Sequence, residues 1–377
     1  MSAPATEAGI QPWLGLLPYS EDDQNLFFGR EQDAVDLLRL VRREVVTVLF
    51  GRSGTGKSSL LKAGLFPKLR QEQFLPVWIR LDHSGKTPYG RQVRTEIENA
   101  IAAREMEVEV LNDALADEGN DFWEYLHRVV FWDSKNQPVT PVLVLDQFEE
   151  LFTLGHNRPE MAAFLEELAA VAENLIPKRI RERVVAGAAK LPAPYNERHY
   201  KLIISLREDF VSRLDSLSKD MPSVMHNRQS LSHMTGEQAL DVVLKPGGEL
   251  VNKAVARRIV RFVAAAHDVE AVISNADTEL FNLELRNLRV EPALLSLVCR
   301  ELNLQRIKEG RTGITIEQVQ RSSDQILDDF YERSLEGLES PDRRFIEDRL
   351  VTASGFRTTV PVEEAVTADL TDEEIEL

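Results

Sequence analysis

The feature that most constrains this chain is the segment Gly51-Arg-Ser-Gly-Thr-Gly-Lys57-Ser58, which fits the pattern G-x-x-x-x-G-K-[ST] at every fixed position. An apolar, β-branched run at residues 45–50 precedes it, and a helical pattern at residues 57–65 follows it. Glycines let this backbone curl so that several N–H groups point inward, and the start of the helix adds partial positive charge. The segment therefore predicts a phosphate-binding loop between a buried strand and a helix.

Individual residues of this loop have separate expected tasks. Lys57 is expected to reach the β- and γ-phosphates, and the Ser58 hydroxyl is expected to bind Mg²⁺. The alternative is a glycine-rich turn with a purely structural role. The strand before it and the helix after it favour the phosphate loop over this alternative. The predicted nucleotide contacts from the loop are Ser53, Gly54, Thr55, Gly56, Lys57, Ser58 and Ser59.

A second candidate element of the site follows the apolar run at residues 141–145. Asp146 ends that run and is expected to be the second protein ligand of the magnesium ion, after Ser58. Glu149 and Glu150 come next, and a carboxylate beside the γ-phosphate can polarise the attacking water. The sequence does not choose between these two glutamates. The alternative for both is an acidic helix start, which the helix dipole favours.

Arg207 ends a fourth apolar run, at residues 201–206. If that strand lies beside the strand before the phosphate loop, Arg207 points at the γ-phosphate and can sense its presence. The alternative is an arginine that pairs with Glu208 or Asp209 at the rim of the sheet. The predicted catalytic residues are Lys57, Asp146, Glu149, Glu150 and Arg207.

The order of apolar runs and helical patterns predicts the fold class. Strands are expected at residues 45–50, 76–81, 141–145 and 201–206. Residues 91–131 are expected to be largely helical, with a turn near Gly119 and Asn120. Strands that alternate with helices predict an α/β fold, in which a parallel sheet is covered by helices on both faces.

The pattern becomes almost entirely helical after residue 234. Thr235 with Gln238, and later Thr315 with Gln318, have the spacing of capping boxes at helix starts. We expect a nucleotide-binding domain at residues 27–234 and a helical domain at residues 235–313.

Both ends of the chain have a character of their own. Residues 1–26 are expected to form an arm, with Trp13 and Leu14 as docking points. Ser340-Pro341 predicts a helix start, and residues 350–362 read as two short strands. That outline predicts a winged-helix domain at residues 314–377, which we expect to be incomplete.

Charge and cysteine content exclude several classes of protein. The formal net charge is −17, which opposes broad binding to nucleic acid or an anionic membrane, because both need clustered Lys and Arg. Cys299 is the single cysteine, so no disulfide can form within the chain. The first residues lack the pattern of a signal peptide, and no apolar run is long enough to span a bilayer. We therefore expect a cytoplasmic protein.

Three further segments resemble those of a known class of proteins. The first precedes the phosphate loop in the sequence, and the other two follow it. The three are Phe27-Phe28-Gly29-Arg30-Glu31, Val144-Leu-Asp-Gln-Phe-Glu-Glu-Leu-Phe152 and Glu291-Pro292-Ala293-Leu-Leu295. Together they resemble the STAND signal-transduction ATPases, in particular the bacterial novel STAND branch related to the NACHT and NB-ARC proteins. The resemblance runs from about residue 17 to 366.

This resemblance implies additional site residues and cofactors. Gly29 and Arg30 would lie against the adenine and ribose, and Pro292 would touch the base or the ADP phosphates from the opposite side. Without the resemblance, Gly29 is only a turn residue and Pro292 only a helix starter. The implied cofactors are ATP or ADP and Mg²⁺, and the choice of ATP over GTP rests on the resemblance alone.

The resemblance also implies a switch. Such proteins convert between an ADP-bound closed monomer and an ATP-bound open form that assembles into a homo-oligomer, with slow hydrolysis as the reset. Bacterial signalling or antiviral defence is the implied setting. Family members usually carry an effector domain and a sensor repeat array, which this sequence does not show, so we expect those functions to lie in regions or partner proteins outside it.

Two other functions compete with the switch. An AAA-like ATPase that turns over continuously predicts fast hydrolysis and an arginine from a neighbouring subunit. A winged-helix regulator predicts salt-sensitive DNA binding, which the acidic residues at the C-terminus and the net charge oppose.

Overall fold

The computed structural model describes residues 11–110, 122–155, 158–187, 190–191, 198–265, 285–322, 326, 331–333, 335 and 340–350. Its centre is a mainly parallel sheet with the neighbour order β2-β5-β6-β1-β7, extended beside the start of β5 by the antiparallel strands β4 and β3. The strands are β1 (Val46–Gly51), β2 (Phe74–Ile79), β3 (Glu107–Val110), β4 (Val129–Trp132), β5 (Pro138–Leu145), β6 (Lys201–Arg207) and β7 (Arg228–Ser230).

Helices cover both faces of this sheet and form a separate group after β7. They are α1 (Glu31–Arg43), α2 (Lys57–Ser59, Leu60–Leu65 and Phe66–Gln71, the middle part π-helical), α3 (Tyr89–Ala102), α4 (Phe122–Arg128), α5 (Glu150–Thr153), α6 (Glu160–Glu173), α7 (Lys178–Val185), α8 (Val211–Asp215), α9 (Gly236–Gly247), α10 (Lys253–Ala265), α11 (Pro292–Lys308), α12 (Ile316–Ser322) and α13 (Ser340–Arg349). Short 3₁₀ turns lie at Gln24–Leu26, Glu208–Phe210, Ser216–Lys219, Pro222–Met225 and Gly248–Leu250.

The two faces of the sheet pack into two different apolar clusters, because successive side chains of a strand point to opposite faces. On β6, Leu202 and Ile204 join a cluster with residues of α3, α4 and α6. Ile203 joins the other cluster, with residues of α1 and α2. The predicted α/β fold, with a parallel sheet between two layers of helices, is confirmed.

The order of the strands decides which strand ends meet at the site. β6 lies between β5 and β1, so the strand that ends at Asp146 is not the direct neighbour of the strand that leads into the phosphate loop. In parallel strands the carboxyl ends lie at one edge of the sheet, which brings the residues after β1, β5 and β6 together there.

The prediction that residues 91–131 are largely helical is wrong in two places. β3 and β4 form an antiparallel pair, and β4 also pairs with β5 through Phe131 opposite Val139. A tight turn after β4, in which the Asp133 N–H donates to the Gln137 carbonyl at 2.9 Å, makes this pairing possible. Val129 and Phe131 are buried while Val130 between them is less so, which is a strand period and not a helix period. The turn expected at Gly119 and Asn120 lies outside the described residues.

The helices after β7 enclose a third apolar cluster, built mainly from α9, α10 and α11. Trp13 belongs to this cluster: it is fully buried, and its indole Nε1 donates to the Val242 carbonyl at 3.0 Å. The N-terminal segment is therefore packed into the helical part, as the docking role of Trp13 predicted. Cys299 is buried in the same cluster, and burial raises the pKa of its thiol.

The two predicted capping boxes have different outcomes. The box at Thr235 and Gln238 is complete, with both reciprocal hydrogen bonds present at the start of α9. At Thr315 only one half forms: Gln318 N donates to Thr315 Oγ1, but the Gln318 side chain donates instead to the Leu302 carbonyl. Because α12 packs against α11, the Gln318 side chain bonds to α11 and does not complete the capping box. The helix predicted at Ser340 is present as α13, and the expected wing at 350–362 falls outside the described residues except for Leu350.

Candidate functional site: the phosphate loop and the cavity above it

The phosphate loop leaves β1 at Gly51 and enters α2 at Lys57. Gly54 and Gly56 have φ angles of 81° and 86°, a region that side chains with a Cβ rarely adopt. The Lys57 ammonium donates to the carbonyls of Gly51 at 2.9 Å and Arg52 at 3.0 Å, so its side chain folds over the loop. Burial lowers the pKa of Lys57, and the nearby carboxylates of Glu149 and Asp146 oppose that shift.

Asp146 receives a hydrogen bond on each carboxylate oxygen. The Ser58 hydroxyl donates to Oδ2 at 2.8 Å, and the Ser205 hydroxyl of β6 donates to Oδ1 at 2.8 Å. Asp146 itself is buried at the end of β5, where its N–H donates to the Ile79 carbonyl of β2. A hydroxyl and a carboxylate side by side are a donor set that suits Mg²⁺, which takes one or two protein oxygens and completes its shell with phosphate and water. Ser58 and Asp146 therefore fit the ion that the sequence predicts.

The two candidate glutamates after Asp146 point to different places. Glu149 lines the cavity above the loop, and its Oε2 accepts a hydrogen bond from the Arg207 N–H at 3.2 Å. Burial raises the pKa of Glu149, an effect that the nearby Lys57 opposes. Glu150 begins α5 and is not among the residues that line the cavity, but it forms an ion pair at 2.9 Å with Arg80, which does line it. The structure thus separates two residues that the sequence left equivalent.

Arg207 stands at the position that the sequence argument required, because it pairs with Gly51 in the register of β6 and β1. Arg207 lines the cavity, and its guanidinium is held by the carboxylate of Asp209, at 3.1 and 2.6 Å. It also lies over the Phe210 ring, 5.6 Å from the centroid. The ion pair with Asp209 is the rim pairing that the second alternative described, while the place of Arg207 beside Gly51 keeps the γ-phosphate-sensing role a prediction.

A cavity of about 410 Å³ lies above the phosphate loop and has walls from three parts of the chain. Ligand sites of this kind commonly have volumes of about 300–1,000 Å³. Every predicted loop contact from Ser53 to Ser59 lines it, as does Pro292 at the start of α11. The wall residues outside the loop are Gly15, Leu16, Leu17, Pro18, Tyr19, Leu26, Phe27, Phe28, Lys62, Trp78, Arg80, Asp146, Gln147, Glu149, Arg207, Met234, Val242, Pro292, Ala293 and Ser296.

Gly29 and Arg30 are not among the residues that line this cavity, in contrast to the direct base and ribose contacts that the resemblance implied. Gly29, at φ 79°, packs against α9, where a Cβ would come within 2.7 Å of the Gln238 carbonyl. Arg30 is buried, and its guanidinium donates to the carbonyls of Thr55 at 3.1 Å and Ser232 at 2.6 Å. Arg30 therefore supports the phosphate loop from behind, and the neighbouring Phe27 and Phe28 face the cavity instead.

The helical part closes on the phosphate loop through the residues around Pro292. The Ala293 N–H donates to the Gly54 carbonyl at 3.3 Å. The Glu291 carboxylate lies so close to Gly54 that a Cβ added there would overlap it. Pro292 therefore lies in the wall of the cavity, beside a direct backbone contact between α11 and the loop.

The sequence did not identify several other residues of the site. Tyr19 N donates to the Ser59 hydroxyl at 3.1 Å, and Gly15 N donates to the Ser296 hydroxyl at 3.0 Å, which ties the N-terminal segment to α2 and α11. Ser205, the partner of Asp146, lies inside an apolar strand. In the sequence, Ser205 differs from its neighbours only by being polar within an apolar run. No spacing rule links it to Asp146.

An acid at the end of β5 beside a phosphate loop between β1 and α2, in a sheet of this order, defines a P-loop NTPase. The chain belongs to the family described as Novel STAND NTPase 1, whose model matches residues 12–291. It is accordingly an enzyme that binds and hydrolyses nucleoside triphosphates.

Solved structures with a similar fold include the ADP form of the ORC2 protein of Aeropyrum pernix, which is 12% identical with a TM-score of 0.50 over 91% of this chain and 85% of that chain. Cdc6p from Pyrobaculum aerophilum is 17% identical, with a TM-score of 0.45 over 84% and 72% of the two chains. A Walker-type ATPase of Pyrococcus abyssi is 13% identical, with a TM-score of 0.42 over 96% and 92%. No curated protein matches the sequence.

The described part of the chain offers neither a membrane span nor a metal-binding cluster of its own. None of its helices has the length and apolar character needed to cross a bilayer. Among the same residues, no group of three or more His, Cys, Asp or Glu side chains is arranged to hold a metal ion by itself. An ion at Ser58 and Asp146 would depend on the nucleotide for further ligands.

Proposed function

We propose that this chain is an ATP-dependent molecular switch that holds ADP in a closed form, opens and forms homo-oligomers when ATP binds, and resets by slow hydrolysis. The observation that carries this proposal is the three-part wall of the cavity. The N-terminal segment, the phosphate loop and α11 all contribute to it. A nucleotide that is bound by several parts of the chain loses contacts when those parts separate, so its affinity differs between the open and closed states. A ligand can shift an equilibrium between two states only through such a difference in affinity.

The difference between ATP and ADP is expected to arise at the carboxyl edge of the sheet. In the closed conformation Arg207 is already engaged by Asp209. A γ-phosphate beside Lys57 would compete for that guanidinium, because arginine forms strong paired hydrogen bonds with phosphate as well as with carboxylate. ADP offers no such group. We propose that transfer of Arg207 from Asp209 to the γ-phosphate is one step that favours opening.

The proposed hydrolysis assigns a task to each residue at this edge. Glu149 accepts a proton as a water molecule attacks the γ-phosphorus, while the bond from that phosphorus to the bridging oxygen breaks and ADP leaves. Lys57 and Arg207 stabilise the charge on the phosphate oxygens. Ser58 and Asp146 would hold Mg²⁺, which supplies further neutralisation of that charge when it is bound. Glu150 is expected to act through its ion pair with Arg80 and not on the water.

The experiment that tests the switch measures assembly and turnover on the same protein. We expect the purified chain to be a monomer with ADP and to shift to larger assemblies, by light scattering on a sizing column, with ATP and Mg²⁺ or with a non-hydrolysable analogue. Glu149→Gln should assemble with ATP and fail to return. A chain that stays monomeric with both nucleotides while hydrolysing ATP rapidly would contradict the switch and favour an AAA-like cycling ATPase.

The setting of the switch, bacterial signalling or antiviral defence, is proposed from the resemblance to STAND proteins. Effector and sensor functions would then be supplied by regions or partner proteins beyond these residues. The alternative of a DNA-binding regulator has the net charge of −17 against it. Its specific prediction is binding to duplex DNA at physiological salt, which a filter-binding titration would detect.

A further inference from the structure

Gln147, the residue directly after Asp146, has an unusual backbone conformation. Its φ angle is 53°, in the left-handed region that residues with a side chain seldom occupy outside turns. Its neighbours explain why the conformation persists. Asp146 N–H donates to the Ile79 carbonyl of β2 at 3.0 Å, and Phe148 N–H donates to the Ser205 carbonyl of β6 at 2.9 Å.

The chain therefore changes from one neighbouring strand to the other within a single residue. The N–H groups of Asp146 and Phe148 are both held by these hydrogen bonds, and the Phe148 side chain is buried. The change in chain direction between them therefore falls on Gln147. A glycine would make it without strain. A glutamine at such a position is a reason to look for a task of its side chain, because strained backbone concentrates at functional sites.

Gln147 is one of the residues that line the cavity, together with Lys57, Asp146, Glu149 and Arg207. Its Oε1 atom is buried, yet it has no hydrogen-bond partner among the described residues. A buried amide oxygen without a partner is costly, and such groups are usually satisfied by water or by a ligand. The amide carries an acceptor and two donor hydrogens, so it can hold a water molecule and a phosphate oxygen at once.

We infer that Gln147 positions the attacking water: its Oε1 accepts a hydrogen bond from that water while its amide N–H donates to a γ-phosphate oxygen. The inference rests on the proposed hydrolysis at this site. The bond changes are those given above, with the proton of the water passing to Glu149, and Gln147 itself neither gains nor loses a proton. An amide that orients the nucleophile is a recurring device in phosphoryl transfer.

The test uses Gln147→Gly, because glycine keeps the left-handed turn and removes the side chain with its amide. Gln73→Gly is a matched control: Gln73 has a φ angle of 62° but lies exposed at the start of β2, far along the sheet from the phosphate loop. Both variants should melt within a few degrees of wild type, because relief of the left-handed strain offsets the greater freedom that glycine gives the unfolded chain.

Three quantities are measured for each variant: ATP and ADP affinity, the single-turnover rate of ATP hydrolysis, and capture of ADP with aluminium fluoride, which mimics the transferring phosphoryl group. For Gln147→Gly we expect affinities within about threefold of wild type, hydrolysis slower by about 10–100-fold and capture reduced to a similar degree. Gln73→Gly should match wild type in all three. Gln147→Asn, which suits the left-handed region but has a shorter side chain, should also be slow.

Hydrolysis by Gln147→Gly at the wild-type rate would overturn the inference. So would an equal loss of nucleotide affinity and rate, which would assign Gln147 to binding of the ground state. Failure of the proposed function has a different result, because a wild-type chain that neither binds nor hydrolyses ATP would reject both proposals before any variant is compared.

Discussion

The Ser58 hydroxyl donates a 2.8 Å hydrogen bond to Asp146 Oδ2, across 88 positions of sequence. Ser58 lies in the first turn of the helix after the phosphate loop, and Asp146 directly follows β5, which is two strands away from β1 in the sheet. β6 fills the gap between them and contributes the Ser205 hydroxyl to the second oxygen of Asp146. The aspartate is thus oriented from both sides before any ion binds, which favours a preformed magnesium site.

Substitution of Asp146 by Asn tests the proposed ion site. Asparagine keeps the size and can still bond to Ser58 and Ser205, but it removes the negative charge that attracts Mg²⁺. We expect Mg²⁺-dependent ATP hydrolysis to fall by about 100-fold or more, while ADP binding without Mg²⁺ stays within about threefold. Ser205→Ala is the control and should lower the rate by less than about tenfold. Equal rates for wild type and Asp146→Asn in a Mg²⁺ titration would remove Asp146 from the site.

The pH dependence of hydrolysis tests Glu149 as the base. Because burial raises the pKa of this carboxyl, it is protonated at a higher pH than an ordinary glutamate and becomes an active base only above that pH. The rate should therefore rise with pH to a plateau, with a midpoint above the usual glutamate pKa of about 4.3. Glu149→Gln should remove the rise and most of the rate, whereas Glu150→Gln should keep the profile. A profile that follows Glu150 would reverse the assignment.

The same pKa shift makes a prediction about stability. A carboxyl whose folded pKa is raised stabilises the fold at low pH, and this contribution is lost as the pH rises through the folded pKa. Glu149→Gln should therefore be more stable than wild type at neutral pH, with a smaller gain in acid. Thermal melts across that range measure the difference. A variant that is less stable than wild type at neutral pH would contradict the burial of an ionisable group at this position.

The contact between Glu291 and Gly54 tests closure of the helical part on the phosphate loop. Removal of the Glu291 side chain should loosen that closure and speed release of a fluorescent ADP analogue by about fivefold to tenfold. Gly54→Ala should release it faster still, because a Cβ there would meet the Glu291 carboxylate and φ 81° is strained for alanine. Glu249→Ala, an exposed glutamate of the helical part, is the matched control. Unchanged release from Glu291→Ala would show that this contact does not hold the cavity shut.

Trp13 tests whether the N-terminal segment is an integral part of the fold. Its side chain is fully buried in the helical cluster, so Trp13→Ala should lower the free energy of unfolding by about 3–5 kcal/mol. The segment from Gly15 to Tyr19 also lines the cavity, and ADP affinity should fall with it. Leu304→Ala, at a side chain 37% exposed on α11, should change stability by about 1 kcal/mol or less. Urea denaturation that does not distinguish Trp13→Ala from Leu304→Ala would contradict this packing.

Local patterns predicted the phosphate loop and its two flanking elements because every requirement there lies within a few residues. β1 is rich in β-branched residues, Gly54 and Gly56 sit where φ is positive, and Lys57 opens the helix. The Asp146 strand was recognised for the same reason. The parallel sheet then followed from the alternation of elements, since parallel strands need a crossover connection.

Long-range pairing decided the features that the sequence did not reveal. β7 is short and polar, Arg228–Ser230, and exists as a strand only because β1 offers it a free edge. In the sequence, β4 reads as a continuation of the helical pattern of α4, and only its pairing with the start of β5 makes it a strand. Glu149 and Glu150 are adjacent in sequence, and only the direction of the chain at the start of α5 places Glu149 in the cavity wall and turns Glu150 to its ion pair with Arg80. Gln147 gave no signal of its own, because its left-handed turn arises from two hydrogen bonds to different strands.

The most direct test of the switch is the nucleotide content of the purified protein, measured by mild denaturation and chromatography of what is released. A cavity with walls from three parts of the chain should retain its product. We predict nearly one ADP per chain, with turnover of added ATP slower than about one per second, the low end of ordinary enzymes. An empty chain that hydrolyses ATP at tens per second would contradict the switch and identify a cycling ATPase.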